Sequence, residues 1–296
     1  MTSIALDPTP SLPRRIFDNR IFRLVALFAV LIAIEVAAQI VPLKVMPLVP
    51  GPDKVAAAIG LSLASALAIL LVYWLSVRMM EHRKVTELAP SRAPAGLIGG
   101  AAIGFGLFAL TMAVLSALGV ASFAATPGNS LLAPANMALL AGIGEELLMR
   151  GVIFRIFEEM FGSLVALIVS AALFGAAHLG NPGATLQSGI AIALEAGLLL
   201  AACYMWTRSL WLAIGLHFGW NFTEGAIFGA AVSGNDFKGL YTTALHGPAT
   251  LTGGAFGAEG SIVAVGACLT AAAVFLALAV RRGEWRGLRL RVNDRG

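Results

Sequence analysis

Charged residues are scarce in this sequence. Asp, Glu, Lys and Arg make up 12% of its 296 residues, whereas an ordinary soluble domain has about 25%. Hydrophobic residues make up 58% of the chain. This composition excludes an ordinary soluble domain and indicates a polytopic membrane protein.

Cysteine is also rare, with only Cys203 and Cys268. Both residues fall inside apolar runs, so the sequence indicates buried thiols rather than a disulfide framework. The sequence HExxH, which binds zinc in many metalloproteases, is missing altogether.

Long apolar runs are what the sequence has instead. Each run is close to the ~20 residues that a helix needs to cross a bilayer. We predict an all-α transmembrane bundle, because barrels lack such long continuous runs. The first run is too long for a typical signal-peptide core and carries Glu35, so we expect an uncleaved helix. About eight spans are predicted, at residues 21–41, 56–77, 95–120, 132–154, 163–180, 188–207, 210–231 and 260–281.

The basic residues predict the orientation of these spans. If both termini are cytoplasmic, only three of the 20 Lys and Arg residues, Lys44, Lys54 and Lys238, lie on the outer side. This asymmetry obeys the positive-inside rule. The high pI of about 9.4 therefore reflects membrane orientation, and no nucleic-acid partner is indicated.

One transmembrane domain, residues 21–281, is expected. Residues 1–20 look like a disordered cytoplasmic segment, and residues 282–296 like a basic cytoplasmic tail. The gap at residues 232–259 is rich in Gly and Thr. A lid, a re-entrant segment and a loose outer loop are all compatible with it, and a loose loop is the default.

Polar residues within the spans are candidates for function, because ionisable groups are costly at membrane depth. They are Glu35, Glu145, Glu146, Arg150, His178, Glu195, His217, Asn221 and Glu224.

Three patterns stand out among these residues, one on each of three spans. In EExxxR, Glu146 and Arg150 are four residues apart and predict an ion pair on one helix face. Glu145 points about 100° away and stays free for chemistry. Alternatively, both acids pair with basic groups and lock helices together. The other two patterns are FxxxH, formed by Phe174 and His178, and HxxxN, formed by His217 and Asn221.

Each pattern is weak alone, but the ordered set resembles the family of CAAX prenyl proteases and bacteriocin-processing enzymes. These are glutamate-dependent intramembrane proteases, and the resemblance covers roughly residues 130–225. It implies an endopeptidase that cleaves a membrane protein or peptide substrate in the bilayer. We expect a bacterial-type member in the cytoplasmic (inner) membrane. Neither the substrate nor its lipidation is indicated.

The resemblance also implies roles for the motif residues. Glu145 is the general base, and His178 helps to hold and activate the attacking water. His217 and Asn221 donate to the oxyanion. Glu146 and Arg150 brace the base, and no cofactor is implied.

Two alternatives remain open. Glu145, His178 and His217 together have the composition of a catalytic zinc site. In a non-enzymatic scaffold or transporter, the same polar residues would gate an ion path or bind a partner. The estimated depths of the motif residues in the membrane also do not agree with a common site. At ~1.5 Å per residue from the predicted cytoplasmic span ends, Glu145 and His217 lie roughly 10–15 Å deep, but His178 lies at about 22 Å.

Overall fold

A computed structural model describes residues 19–288 of the chain. Most of the predicted N-terminal segment and the end of the predicted tail therefore lie outside the described residues. The helices are α1 Arg20–Val45, α2 Lys54–Glu81, α3 Ala93–Ala117, α4 Leu132–Glu146, α5 Arg155–Phe161, α6 Ser163–Ala177, α7 Leu186–Ile192, α8 Leu198–Thr207, α9 Leu210–Phe222, α10 Ala249–Thr252 and α11 Ile262–Arg281.

Three π-helical segments, which are wider than α-helix, directly continue these helices. Leu147–Phe154 joins α4 to α5, Ala193–Gly197 joins α7 to α8, and Thr223–Ile227 continues α9. Such segments are rare and occur mostly at functional sites. Two of these three contain an acidic residue from the candidate set, and the third directly follows Glu145 and Glu146.

The all-α membrane fold predicted from the sequence is confirmed. Six helical stretches in the described part of the chain have the length and hydropathy of membrane spans. Two further helical passages, residues 132–161 and 210–227, carry the charged motif residues and are outside that set. The count of eight spans therefore remains a prediction. Large apolar side chains such as Leu43 and Ile98 are both 73% exposed on the outer surface, as expected for contact with lipid.

Glycines allow α3 and α9 to cross at close range. Gly100 and Gly104 of α3 pack on the backbone of α9, and Gly215 and Gly219 of α9 pack on the backbone of α3. A Cβ atom at Gly104 would lie only 2.6 Å from the backbone nitrogen of Trp220. Small residues at this spacing are the usual means of close helix contact in membranes. The crossing positions the segment of α9 that carries His217.

Ion pairs gather at one end of the bundle. Glu81 at the end of α2 pairs with Arg155 of α5 at 2.6 Å and with Arg23 of α1 at 3.8 Å. Glu158 of α5 pairs with Arg208, which precedes α9. We call this end, defined by Arg23, Glu81, Arg155, Glu158 and Arg208, the charged face.

The opposite end of the bundle contains the segment at residues 232–259. Its strand β2 (Tyr241–Leu245) pairs antiparallel with β1 (Ala121–Ala125), from Ala121 opposite Leu245 to Ala125 opposite Tyr241. The short helix α10 and a 3-10 turn at Ala258–Gly260 follow. The expectation of a loose outer loop was therefore wrong. The pairing explains the difference, because β1 lies 120 residues upstream and its match with β2 has no local signal.

Candidate functional site

Glu146 and Arg150 form the ion pair that the EExxxR spacing predicts. Arg150 Nη1 lies 2.8 Å from Glu146 Oε1, and both side chains are completely buried. Arg150 also donates to the carbonyl oxygens of Ala196 and Gly197. Its guanidinium carbon lies 4.7 Å from the ring centre of Phe174. One cation thus joins α4, α6 and the α7–α8 passage.

His217 is a second partner of Glu146. Its Nδ1 lies 3.0 Å from the same Oε1 that accepts from Arg150. Because Oε1 already accepts from Arg150, it acts as an acceptor towards the imidazole too, so Nδ1 carries a proton and donates it. The other ring nitrogen, Nε2, therefore points towards Glu145, whose Oε2 lies 4.0 Å away.

His178 approaches the same carboxylate oxygen from another helix. Its Nδ1 lies 2.8 Å from the carbonyl oxygen of Phe174, which can only accept. The proton is therefore on Nδ1, and Nε2 is free to accept. His178 Nε2 lies 3.9 Å from Glu145 Oε2. The backbone carbonyl one turn earlier thus selects the tautomer, while the ring of Phe174 packs against the imidazole with the ring centres 4.7 Å apart.

The predicted end of the fourth span, from which the depth of Glu145 was counted, was wrong. It was placed at residue 154, but the helix continues through α5 to Phe161 at the charged face. More helix therefore separates Glu145 from the charged face than the predicted span allowed, and the 3.9 Å distance to His178 shows that the two residues meet.

Asn221 lies one turn after His217, and its side chain is buried. Its amide contacts Met137 Sδ at 3.9 Å. Glu145, His178, His217 and Asn221 all line one cavity of about 520 Å³. The four residues predicted to be catalytic are thus brought together, although their roles remain predictions.

Glu35 of α1 lines this cavity too, and its Oε1 is buried without a hydrogen-bond partner. A Cβ at Gly144 would lie 3.0 Å from that oxygen, so glycine allows Glu35 to approach the motif helix. The sequence identified Glu35 as a candidate but assigned it no role.

Two cavity residues were missed because they lie in the segment taken for a loose loop. Ser233 lines both this cavity and a smaller one beside it, and Glu259 lines the smaller one. Burial raises the pKa of the Glu259 carboxyl above its usual range. Glu195 and Glu224, both buried, lie close enough to Glu259 to interact electrostatically. No short motif connects these three acids.

The atoms of the candidate zinc set lie further apart than the ligands of one zinc ion do. Donor atoms around tetrahedral zinc are about 3.3 Å apart, given Zn–N distances of about 2.0–2.1 Å. Glu145 Oε2 is 3.9 and 4.0 Å from the two Nε2 atoms. Within residues 19–288, no group of three or more His, Cys, Asp or Glu side chains is arranged to hold a metal ion.

The region that contains the candidate site is similar to a known protein family. Residues 127–223 match the family model Rce1-like, described as type II CAAX prenyl endopeptidase Rce1-like. The chain contains an Rce1-like domain. The predicted family resemblance at residues 130–225 is thereby confirmed. No curated protein and no solved structure matches the chain.

The Rce1-like domain contains all three motifs. It includes Glu145, His178, His217 and Asn221 together with the pair Glu146 and Arg150. Glu35, Ser233 and Glu259 lie outside the matched residues, although they line the cavities of the same site. The Rce1-like family is a protease family, which agrees with a hydrolase built around this cavity.

Proposed function

We propose that this multi-pass membrane protein is an intramembrane endopeptidase that hydrolyses peptide bonds with a water activated by Glu145 and His178. One observation carries the proposal. Within the Rce1-like domain, two histidines from different helices direct Nε2 at the same oxygen of Glu145, in a cavity large enough for a peptide backbone. The substrate is a membrane protein or membrane-associated peptide.

The nucleophile is a water held between Glu145 Oε2 and His178 Nε2. Both atoms accept hydrogen bonds, so the water donates one hydrogen bond to each and turns a lone pair towards the peptide carbonyl. Glu145 takes one proton as the water oxygen attacks the carbonyl carbon. The carbonyl π bond breaks, and its electron pair becomes the charge of the oxyanion.

His217 and Asn221 stabilise this oxyanion by donating hydrogen bonds. Asn221 donates from its amide. The Nδ1 proton of His217 is engaged by Glu146, so His217 donates from Nε2 only when its ring is doubly protonated. Glu146 stabilises that imidazolium, and Arg150 holds Glu146 in place. The collapse of the intermediate breaks the C–N bond, and Glu145 returns its proton to the leaving amine.

Two other functions use the same residues. A zinc-dependent protease would lose its metal, and its activity, on chelation and recover both with zinc. A pure scaffold would tolerate the loss of Glu145 as long as the fold persists. A transporter that uses these residues as an ion path would not, so a cleavage assay is needed to separate the protease from both. Neither alternative has a specific observation in its favour, since the Nε2–Oε2 distances exceed those of zinc ligands and the matched family consists of proteases.

A cleavage assay tests the proposal. Membrane peptides from cells with the wild type or Glu145→Gln are compared by mass spectrometry, and the purified protein then cleaves the peptides that differ. We expect Glu145→Gln and His178→Ala to abolish cleavage while both variants still insert. His246, which is exposed at the end opposite the charged face, provides the matched histidine control. We expect His246→Ala to keep full activity. Full turnover by purified Glu145→Gln would end the assignment.

A further inference from the structure

We propose that the substrate reaches Glu145 from the non-cytoplasmic side of the membrane, so that the substrates are peptide segments exposed on that side. The inference rests on the proposed function for its meaning. It has its own evidence, which comes from where the cavity opens and where the charges lie.

The cavity opens at the end of the bundle opposite the charged face. Its outer wall consists of Asn181, which follows α6, together with Ser233, Asn235 and Phe237 from the segment before β2. These residues connect helix ends that are remote from Arg155 and Arg208. The polar lining provides hydrogen-bond partners for an extended peptide backbone.

A second cavity continues from the first in the same direction. The two share Gln39 of α1 and Asn136 of α4, and the second extends to Met46, Pro47 and Lys54. Its volume is about 630 Å³. Together the cavities form a groove that runs from Glu145 along α1 to the connection between α1 and α2. That connection is also at the end opposite the charged face.

The other direction is closed by packing and by ion pairs. Every residue of the π segment Leu147–Phe154, which leads from the site to the charged face, is buried. Beyond it, Arg155 donates to Glu81 at 2.6 Å, and Glu81 accepts from Arg83 at the same distance. An extended peptide from that side would have to displace both packed side chains and paired charges.

The charge asymmetry identifies the charged face as cytoplasmic. Among residues 19–288, most Lys and Arg residues lie at or beside that face, whereas Lys44, Lys54 and Lys238 lie at the open end. Positively charged connections stay in the cytoplasm during insertion. The groove therefore opens on the other side, and peptides confined to the cytoplasm are not substrates.

Two isosteric substitutions test the orientation directly. Ser130 is exposed at the open end, where it lines a neighbouring cavity, and Ser91 is exposed beside the charged face. Native Cys203 and Cys268 are both fully buried, so the unlabelled background is low. In right-side-out vesicles, a membrane-impermeant maleimide should label Ser130→Cys at once and Ser91→Cys only after permeabilisation. The reverse order would overturn the inference.

A third substitution tests access to the site itself. Ser233→Cys places a thiol in the cavity wall, and we expect a membrane-impermeant methanethiosulfonate to modify it from outside sealed right-side-out vesicles. Modification only in inside-out vesicles contradicts the proposed access. The two proposals fail separately. Modification from outside without any Glu145-dependent cleavage contradicts the protease but supports the access route. Glu145-dependent cleavage with modification only from the cytoplasmic side supports the protease but contradicts the access route.

Discussion

At the scale of single residues, His217 connects the two glutamates of the EExxxR motif. Its Nδ1 contacts Glu146 at 3.0 Å, and its Nε2 lies 4.0 Å from Glu145. The adjacent acids therefore have separate tasks, because they meet opposite edges of one ring. Glu146 controls the charge and orientation of the imidazole, while Glu145 faces the cavity.

The two hydrogen-bond donors on α9, His217 and Asn221, are expected to affect kcat rather than substrate binding. An oxyanion exists only in the transition state, so deleting one donor lowers kcat while KM stays nearly constant. We expect His217→Ala and Asn221→Ala each to lose ~10²–10³ in kcat, the usual effect of one oxyanion donor. Steady-state kinetics on a purified peptide substrate measures both parameters.

Metal analysis of the same two variants distinguishes the metal-free mechanism from a zinc-dependent protease. Added zinc should change neither variant, and the wild type should retain its activity in chelator. A nearly normal Asn221→Ala beside an inactive His217→Ala that has lost a bound metal ion would contradict the oxyanion roles. That result would favour a zinc protease.

Arg150 is expected to matter for stability as well as activity. Arg150→Ala leaves Glu146 buried beside His217 without its main cation and also removes the donors to Ala196 and Gly197. Breaking a buried pair in this way typically costs about 3–5 kcal/mol. We expect a clear drop in the apparent unfolding temperature in detergent. Arg78→Ala, exposed at the end of α2, is the matched control and should unfold as the wild type does. Equal stability of Arg150→Ala and wild type would show that the pair is not a brace.

At the scale of secondary-structure elements, the crossing of α3 and α9 positions the site. His217 lies on α9 between Gly215 and Gly219, whose missing side chains allow α3 to contact the α9 backbone. A comparable contact involves Gly175 of α6, where a Cβ would lie 2.8 Å from that of Ala193. Close crossings on both sides therefore hold the two histidines in place.

Two glycines of α3 make a matched test of this crossing. Gly104→Ala puts a Cβ 2.6 Å from the backbone nitrogen of Trp220, so the helices must separate. Gly106→Ala, two residues later, meets nothing within 4 Å. We expect Gly104→Ala to lower both the unfolding temperature and kcat. Gly106→Ala should keep activity and gain up to about 1 kcal/mol from the higher helix propensity of alanine. Equal behaviour of the two variants would rule out the crossing as a positioning device.

At the scale of the whole molecule, the charged face joins helices that are distant in the sequence. Its ion pairs connect α1, α2 and α5, and a second set links α5 to Arg208 and to Glu284 after α11. The first and last spans therefore end at the same face, as an even number of passages requires. Glu87, in the connection between α2 and α3, joins this network through Arg83.

The charged face predicts acid sensitivity. Burial acts to raise the pKa of Glu87, but hydrogen bonds and charge from Arg83 outweigh it and hold the pKa below its usual value of 4.5. A depressed folded-state pKa adds stability that is complete above about pH 4.5 and disappears as the pH falls through the folded-state value. We expect Glu87→Gln to unfold at a lower temperature at pH 7 and to lose less stability on acidification than the wild type. Asp236→Asn, exposed at the open end, is the control. An unchanged acid profile for Glu87→Gln would contradict this role.

Much of the architecture was predictable from the sequence, because apolar length is a local property. The helices fall close to the predicted spans, and the ordered motifs led to the residues that meet at the cavity. The errors occurred where contacts between distant segments decide the structure. The fourth span was predicted to end at residue 154, but Arg155 and Glu158 form ion pairs with residues distant in the sequence, and the helix continues to Phe161.

What the sequence determined by itself was the fold class, the family resemblance and the spacing of the polar residues along each helix. The fold class follows from hydropathy, and the positions of the polar residues on each helix face follow from the 3.6-residue period. The family resemblance comes from the three ordered motifs, and none of these needs knowledge of distant contacts. Only the tertiary structure decided that His217 lies between the two glutamates, that Phe174 sets the tautomer of His178, and that Ser233 and Glu259 line the cavities. Such convergence depends on glycine crossings and strand pairing between segments far apart in the chain, for which a single sequence contains no periodic signal.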